Sequence, residues 1–118
     1  MKFMLLIYAD RSSAPQYTPE LRQAAAQINS AYISEAQAAG ALRPDDGFHI
    51  IANATTVRVR DGQTATSHGP AAETPEPLTG YIMLDCGSLD EAIGWAAKNP
   101  AAKYGSVEVR PLENNYVP

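Results

Sequence analysis

Lys2-Phe3-Met4-Leu5-Leu6-Ile7-Tyr8 is apolar at odd and even positions alike. Successive side chains of a strand point to opposite faces of its sheet, so this run places apolar groups on both faces. It reads as a central strand. Residues 78–86, Leu78-Thr79-Gly80-Tyr81-Ile82-Met83-Leu84-Asp85-Cys86, repeat the pattern and predict a second central strand. Two such strands need cover on both faces of the sheet, and the rest of the chain has to supply it.

Two segments read as amphipathic helices. Thr18-Pro19-Glu20 offers an N-cap hydroxyl, a proline at the first helical position and an early acid. From there Leu21, Ala25, Ile28, Tyr32, Ala36 and Ala39 recur at three- and four-residue steps, and Gly40 supplies the stop. Ser88-Leu89-Asp90-Glu91 has the spacing of a capping box, which predicts a helix through Ala92, Ile93, Trp95 and Ala96 that ends at Asn99-Pro100. Between the helices, Pro44-Asp45-Asp46-Gly47 reads as a turn and residues 48–51 as a short extended segment. Thr55-Thr56-Val57-Arg58-Val59-Arg60 alternates with period two, and Asp61-Gly62 predicts a tight hairpin turn into residues 63–66. The three prolines of residues 69–77 predict a shaped surface loop. Residues 106–112 complete the set as a last strand, with residues 10–17 a loop and residues 114–118 a tail.

The resulting order is strand, helix, strands, helix, strand. This is the split βαβ arrangement of an α+β, ferredoxin-like fold, βαββαβ with an extra β-hairpin. Both helices of that arrangement cover the same sheet face, leaving apolar residues of the central strands on the other. A second copy of the chain is the expected cover, which gives a homodimer with an α+β barrel-type assembly.

The chain's 118 residues, 45% of them apolar, suit one domain over residues 1–118 with a modest core. A formal charge of −4 and a pI near 5.0 argue against attraction to nucleic acid or to an anionic membrane surface. The apolar opening is far shorter than a membrane span, and no signal-peptide cleavage pattern follows it. The single cysteine, Cys86, has no partner for an internal disulfide and sits in an apolar run that reads as buried. These features suit a cytoplasmic protein.

His68-Gly69-Pro70-Ala71-Ala72-Glu73-Thr74-Pro75-Glu76-Pro77-Leu78-Thr79-Gly80-Tyr81 is answered near the C-terminus by Val107-Glu108-Val109-Arg110-Pro111. The pair resembles the signature of the YCII-related, or DGPF-motif, proteins. There Asp-Gly-Pro-Phe precedes Glu-Thr-Lys-Glu, a Gly-aromatic strand and a terminal Glu-Val-Arg-Pro. The resemblance runs from Met4 over nearly the whole chain and implies a small dimeric α+β protein of ferredoxin-like topology. His68 stands where the motif has Asp, Ala71 where it has Phe and Pro75 where it has Lys, while Gly69, Pro70, Glu73, Thr74 and Glu76 are retained. Loop shape therefore carries over, and any binding role of the replaced residues does not. The resemblance also implies a His-Asp pair associated with the first helix, but residues 18–39 hold neither His nor Asp, only the acids Glu20 and Glu35.

Several residues are candidates for chemistry. Val57 and Val59 alternate with Arg58 and Arg60, as Val107 and Val109 do with Glu108 and Arg110. If the valines face the helices, the charges face the dimer side, where Arg58 and Arg110 would grip a small anionic ligand through their guanidinium forks. The competing reading is a solvated strand face. Arg110 also matches the family's Glu-Val-Arg-Pro signature. His68, at the mouth of the loop, is the candidate general base, with Glu73 to orient its ring; the competing reading is a solvated loop histidine. Tyr8 and Tyr81 would bring hydroxyls to a subunit cleft from neighbouring strands. His49, in an apolar run, reads as a satisfied strand residue.

Neither zinc-ligand spacing nor a glycine-rich phosphate loop nor a Gly-x-Ser-x-Gly elbow occurs, so no metal and no cofactor are expected. The resulting expectation is a cofactor-independent proton-transfer enzyme, of isomerase or lyase type, acting on a small anionic metabolite near a dimer interface. The alternative is a noncatalytic ligand-binding or protein-interaction module associated with transcriptional regulation. With no helix-turn-helix region, such a module would act through a partner rather than on DNA.

Overall fold

The structure, a computed structural model, describes residues 1–10 and 18–113. The expected C-terminal tail, and the expected loop beyond Asp10, lie outside the described residues. The elements follow in the order β1 (Lys2–Tyr8), α1 (Pro19–Ala38), β2 (His49–Ile50), β3 (Thr55–Arg60), β4 (Gln63–His68), β5 (Leu78–Asp85), α2 (Leu89–Lys98), a 3-10 turn (Pro100–Lys103) and β6 (Ser106–Pro111).

β2, β5, β1 and β6 lie side by side in that order as one antiparallel sheet. The two strands with apolar residues on both faces, β1 and β5, are the central pair. β3 and β4 pair only with each other. Without that hairpin the sheet is the ferredoxin-like βαββαβ, and the hairpin is an insertion ahead of β5.

Alternation along β1 and β5 sends Phe3, Leu5, Ile7, Ile82 and Leu84 to one face. There they pack with Tyr32 and Ala36 of α1 and with Ala92, Trp95 and Ala96 of α2. Phe3, Leu5 and Ile82 have no exposed surface, and burying each side chain contributes about 1.5–3 kcal/mol. Val107 and Val109 close the core at the β6 edge. The Tyr32 hydroxyl donates to the Trp95 carbonyl at 2.8 Å and ties the two helices together, and burial pushes its pKa up to about 12.

The helix ends follow the sequence with two differences. Thr18 Oγ1 accepts the Leu21 amide at 3.2 Å, and Ser88 Oγ accepts the Glu91 amide at 3.2 Å. Glu91, however, reaches the Gly87 amide rather than that of Ser88, so the capping box closes one residue early. The buried stripe of α1 is also shorter than its spacing predicts. Tyr32 and Ala36 are buried, while Leu21 and Ile28 are exposed. A 20-residue helix runs about 30 Å and a seven-residue strand about 23 Å, so α1 outruns the sheet it covers.

On the opposite face, Met4, Leu6 and Tyr8 of β1 and Tyr81 and Met83 of β5 are half-buried, and no described helix covers them. No described helix is long and apolar enough to cross a membrane.

Candidate functional site

The loop between β4 and β5 builds the site. Gly69, at φ +107°, turns the chain off β4, a backbone conformation that glycine adopts without strain. Its amide donates to the Ala54 carbonyl at 2.9 Å, and its own carbonyl accepts the Thr56 hydroxyl at 2.7 Å, which fixes the loop to the root of the hairpin. Further on, the Ala9 amide donates to the Pro77 carbonyl at 3.0 Å, and Ser106 Oγ donates to Glu76 Oε1 at 2.7 Å. The far end of the loop is thereby held to the sheet. The Thr74 hydroxyl donates to the Glu76 carbonyl within the loop.

Between this loop and the sheet lies an open cleft of about 1850 Å³. Its lining brings together Tyr8 of β1, Thr79 of β5, Glu108 and Arg110 of β6, His68 of β4 and Glu73 of the loop. Val107 and Val109 pack on the core, so the alternate residues Glu108 and Arg110 face away from it, toward the cleft. Arg110 Nε donates to Glu108 Oε1 at 2.8 Å, and this contact holds the guanidinium above its ordinary pKa. Among the described lining residues, the carboxylates of Asp10, Glu73, Glu76 and Glu108 outnumber this one guanidinium. Such a site can receive one negative group at Arg110, in exchange for Glu108, and disfavours a dianion.

Four of the six residues expected from sequence, Tyr8, His68, Glu73 and Arg110, therefore meet in one cleft. Arg58 and Tyr81 do not line it. Arg58 lies on the separate hairpin, where its guanidinium donates to the Ala71 carbonyl at 3.4 Å. Val57 and Val59 do not face the helices as expected, since β3 belongs to a ribbon that neither helix reaches; they are 59% and 56% exposed. His68 is exposed, and among the described residues no hydrogen bond or ion pair joins it to Glu73. The loop turns at Gly69 and carries the carboxylate into the cleft without meeting the ring.

Sequence reasoning missed a second constellation. His49 Nε2 stands 2.6 Å from Asp46 Oδ1, and the His49 ring stacks on Tyr81. The signal was present in the turn Pro44-Asp45-Asp46-Gly47, which sets a carboxylate three residues before the histidine. Cys86 is buried, and burial pushes its thiol pKa up, which disfavours the nucleophilic thiolate. Among the described residues no three His, Cys, Asp or Glu side chains are grouped to hold a metal ion.

The model of the YCII-related domain matches residues 1–114. The chain belongs to the YCII-related family. An uncharacterized protein of Rhizobium meliloti (strain 1021) is 36% identical to this YCII-related chain over 114 residues, covering 95% of this chain and 92% of the relative. Among solved structures, the chain is similar to 5-chloro-2-hydroxyhydroquinone dehydrochlorinase from Burkholderia phenoliruptrix AC1100, in complex with 2,5-dihydroxybenzoquinone. The two are 14% identical, the match covers 98% of this chain and 96% of that one, and the TM-score is 0.48.

Proposed function

We propose that this YCII-related protein is a cofactor-independent proton-transfer enzyme, of isomerase or lyase type. Its substrate is a small metabolite with one anionic group, bound in the cleft. The observation that carries this reading is the convergence of a guanidinium, a phenol and an imidazole, those of Arg110, Tyr8 and His68, on one open cleft. Arg110 receives the anionic group, Tyr8 supplies a hydroxyl donor, and His68 moves the proton with Glu73 nearby to stabilise its charged form. A second copy covers the half-buried apolar face of the sheet, giving a cytoplasmic homodimer in which the cleft lies near the subunit boundary.

A ligand that binds only the folded protein raises its melting temperature, by an amount equivalent to about 2.7 kcal/mol at a hundredfold excess over Kd. Melting curves of wild type and Arg110→Ala against a panel of monocarboxylates, lactones and phosphorylated metabolites therefore test the site. The expected result is a compound that stabilises wild type and loses its effect in Arg110→Ala. His68→Ala should then slow turnover of that compound by about 10²–10⁴-fold. A panel that leaves wild type unmoved removes the small-molecule reading.

His68 is exposed and, among the described residues, makes no hydrogen bond or ion pair, which favours a second reading, a noncatalytic ligand-binding or interaction module associated with transcriptional regulation. A stabilising ligand that wild type binds and never converts would support it.

A further inference from the structure

On the cleft side of β6 the charge changes sign within one strand. Ser106, Glu108 and Arg110 alternate with the two valines that pack on the core, so they stand in a row, with successive Cα atoms about 7 Å apart by strand geometry. At one end of the row Ser106 Oγ donates to Glu76 Oε1 at 2.7 Å, which places a loop carboxylate next along from Glu108. At the other end the Arg110 guanidinium lies against Glu108, Nε to Oε1, at 2.8 Å. The row therefore presents a negative pole at Glu76 and Glu108 and a positive pole at Arg110.

A ligand anion that takes Arg110 has to displace Glu108 from it. The displaced carboxylate is then left without a cation in a lining where Asp10, Glu73 and Glu76 are also acidic and where, among the described residues, Arg110 is the one arginine or lysine. A plain anion thus gains one ion pair, breaks another and adds to the negative charge of the cleft. A ligand that carries an ammonium beside its anionic group removes the conflict. Its ammonium takes the place of the guanidinium at Glu108, one ion pair becomes two, and the net charge of the cleft stays as it was. Ile51, Pro77 and Leu78 line the same cleft and offer apolar surface to the rest of such a molecule.

Resting on the reading of this cleft as a small-molecule site, we propose that its ligands are zwitterions of the amino-acid type. The anionic group binds Arg110, the ammonium binds between Glu108 and Glu76, and an apolar side chain lies against Ile51 and Leu78. Glu108 is then the residue that sets specificity. It occupies Arg110 in the free protein, which disfavours a carboxylate without an amine, and it accepts the amine of a ligand that has one.

The test uses three probes on one skeleton: 3-phenylpropanoate with the carboxylate alone, 2-phenylethylamine with the amine alone, and phenylalanine with both. Titrations of the intact protein at pH 7, followed by backbone amide NMR, give the affinity of each and show whether the shifts fall on β6. Phenylalanine should bind wild type about tenfold more tightly than either relative, as expected for one added hydrogen bond between charged groups. Glu108→Gln keeps the shape and removes the charge. It should weaken phenylalanine about tenfold and leave 3-phenylpropanoate as tight as before or tighter, since Arg110 has lost its competitor. A Glu108 that served only to hold Arg110 in place would move both probes in the same direction, and that result overturns the proposal. So does 3-phenylpropanoate binding wild type as tightly as phenylalanine, although the cleft reading would then stand, with a plain anion as its ligand. Binding of 2-phenylethylamine that equals phenylalanine and survives Arg110→Ala overturns both. If none of the three binds, the zwitterion proposal falls, and the cleft reading falls with it only if the wider ligand panel also leaves wild type unmoved.

Discussion

Val57-Arg58-Val59-Arg60 and Val107-Glu108-Val109-Arg110 are nearly the same four residues, and the fold treats them in opposite ways. In β6 the valines pack on the core and the charged residues line the cleft. In β3 the valines are more than half exposed, and Arg58 and Arg60 project from the other side of a two-stranded ribbon. What differs is the neighbour. β6 pairs with β1, Val109 opposite the fully buried Leu5, whereas β3 pairs only with β4. Alternation encodes a strand, and the adjoining strand decides which of its faces is dry. An isolated two-stranded hairpin is marginal in water, so the ribbon depends on its root and on whatever docks against it.

The largest test of this contrast is a carboxylate placed at the two equivalent valines. Val109→Asp should cost about 3 kcal/mol or more in a urea melt, because its charge would face the core without a partner. Val59→Asp should stay within about 0.5 kcal/mol of wild type. Comparable losses at both sites would break the contrast. They would mean that the ribbon is covered in solution, and a second copy would be the first candidate for the cover.

A smaller effect is expected at the root, where the half-buried Thr56 hydroxyl donates to the Gly69 carbonyl. Thr56→Val keeps the shape and removes the donor, at a cost of about 1 kcal/mol. Amide hydrogen exchange should quicken about fivefold in β3 and β4, with β1 and β5 unchanged. Equal acceleration in the central strands would show that ribbon and sheet open as one unit.

The sequence was most legible where one physical rule acted alone. Two-sided apolarity marked β1 and β5 as central, and Thr18 and Ser88 marked the helix starts at which their side chains now cap. Legibility failed where a rule needed a partner that the pattern does not name. Leu21 and Ile28 keep helical spacing, yet α1 extends past the sheet that would have buried them. Val57 and Val59 keep strand spacing, yet no helix lies beneath them. In the cleft, family signature and loop punctuation marked Arg110, His68 and Glu73 because the prolines and Gly69 constrain a short stretch. The Asp46–His49–Tyr81 group escaped notice because its third member is 32 positions beyond the histidine and meets it only through the β2–β5 register.

The smallest expected effect on stability separates the arginines of the two strands. Arg110 is largely exposed and its partner Glu108 partly so, and such pairs stabilise little, because water already solvates each charge and salt screens their attraction. Arg58 makes one long, exposed hydrogen bond to the Ala71 carbonyl. Arg110→Ala and Arg58→Ala should therefore both melt within about 2 °C of wild type. Their responses to a cleft ligand should diverge. Arg110→Ala leaves Asp10, Glu73, Glu76 and Glu108 in the described lining without the guanidinium that offsets them, so an anionic ligand meets stronger repulsion. Arg58→Ala removes no side chain of the cleft lining, only the long bond to the Ala71 carbonyl, and should preserve the ligand's thermal shift. An equal loss in both variants would mean that the ribbon folds over the cleft once the ligand arrives, and that Arg58 belongs to the bound site although it lies outside the free one.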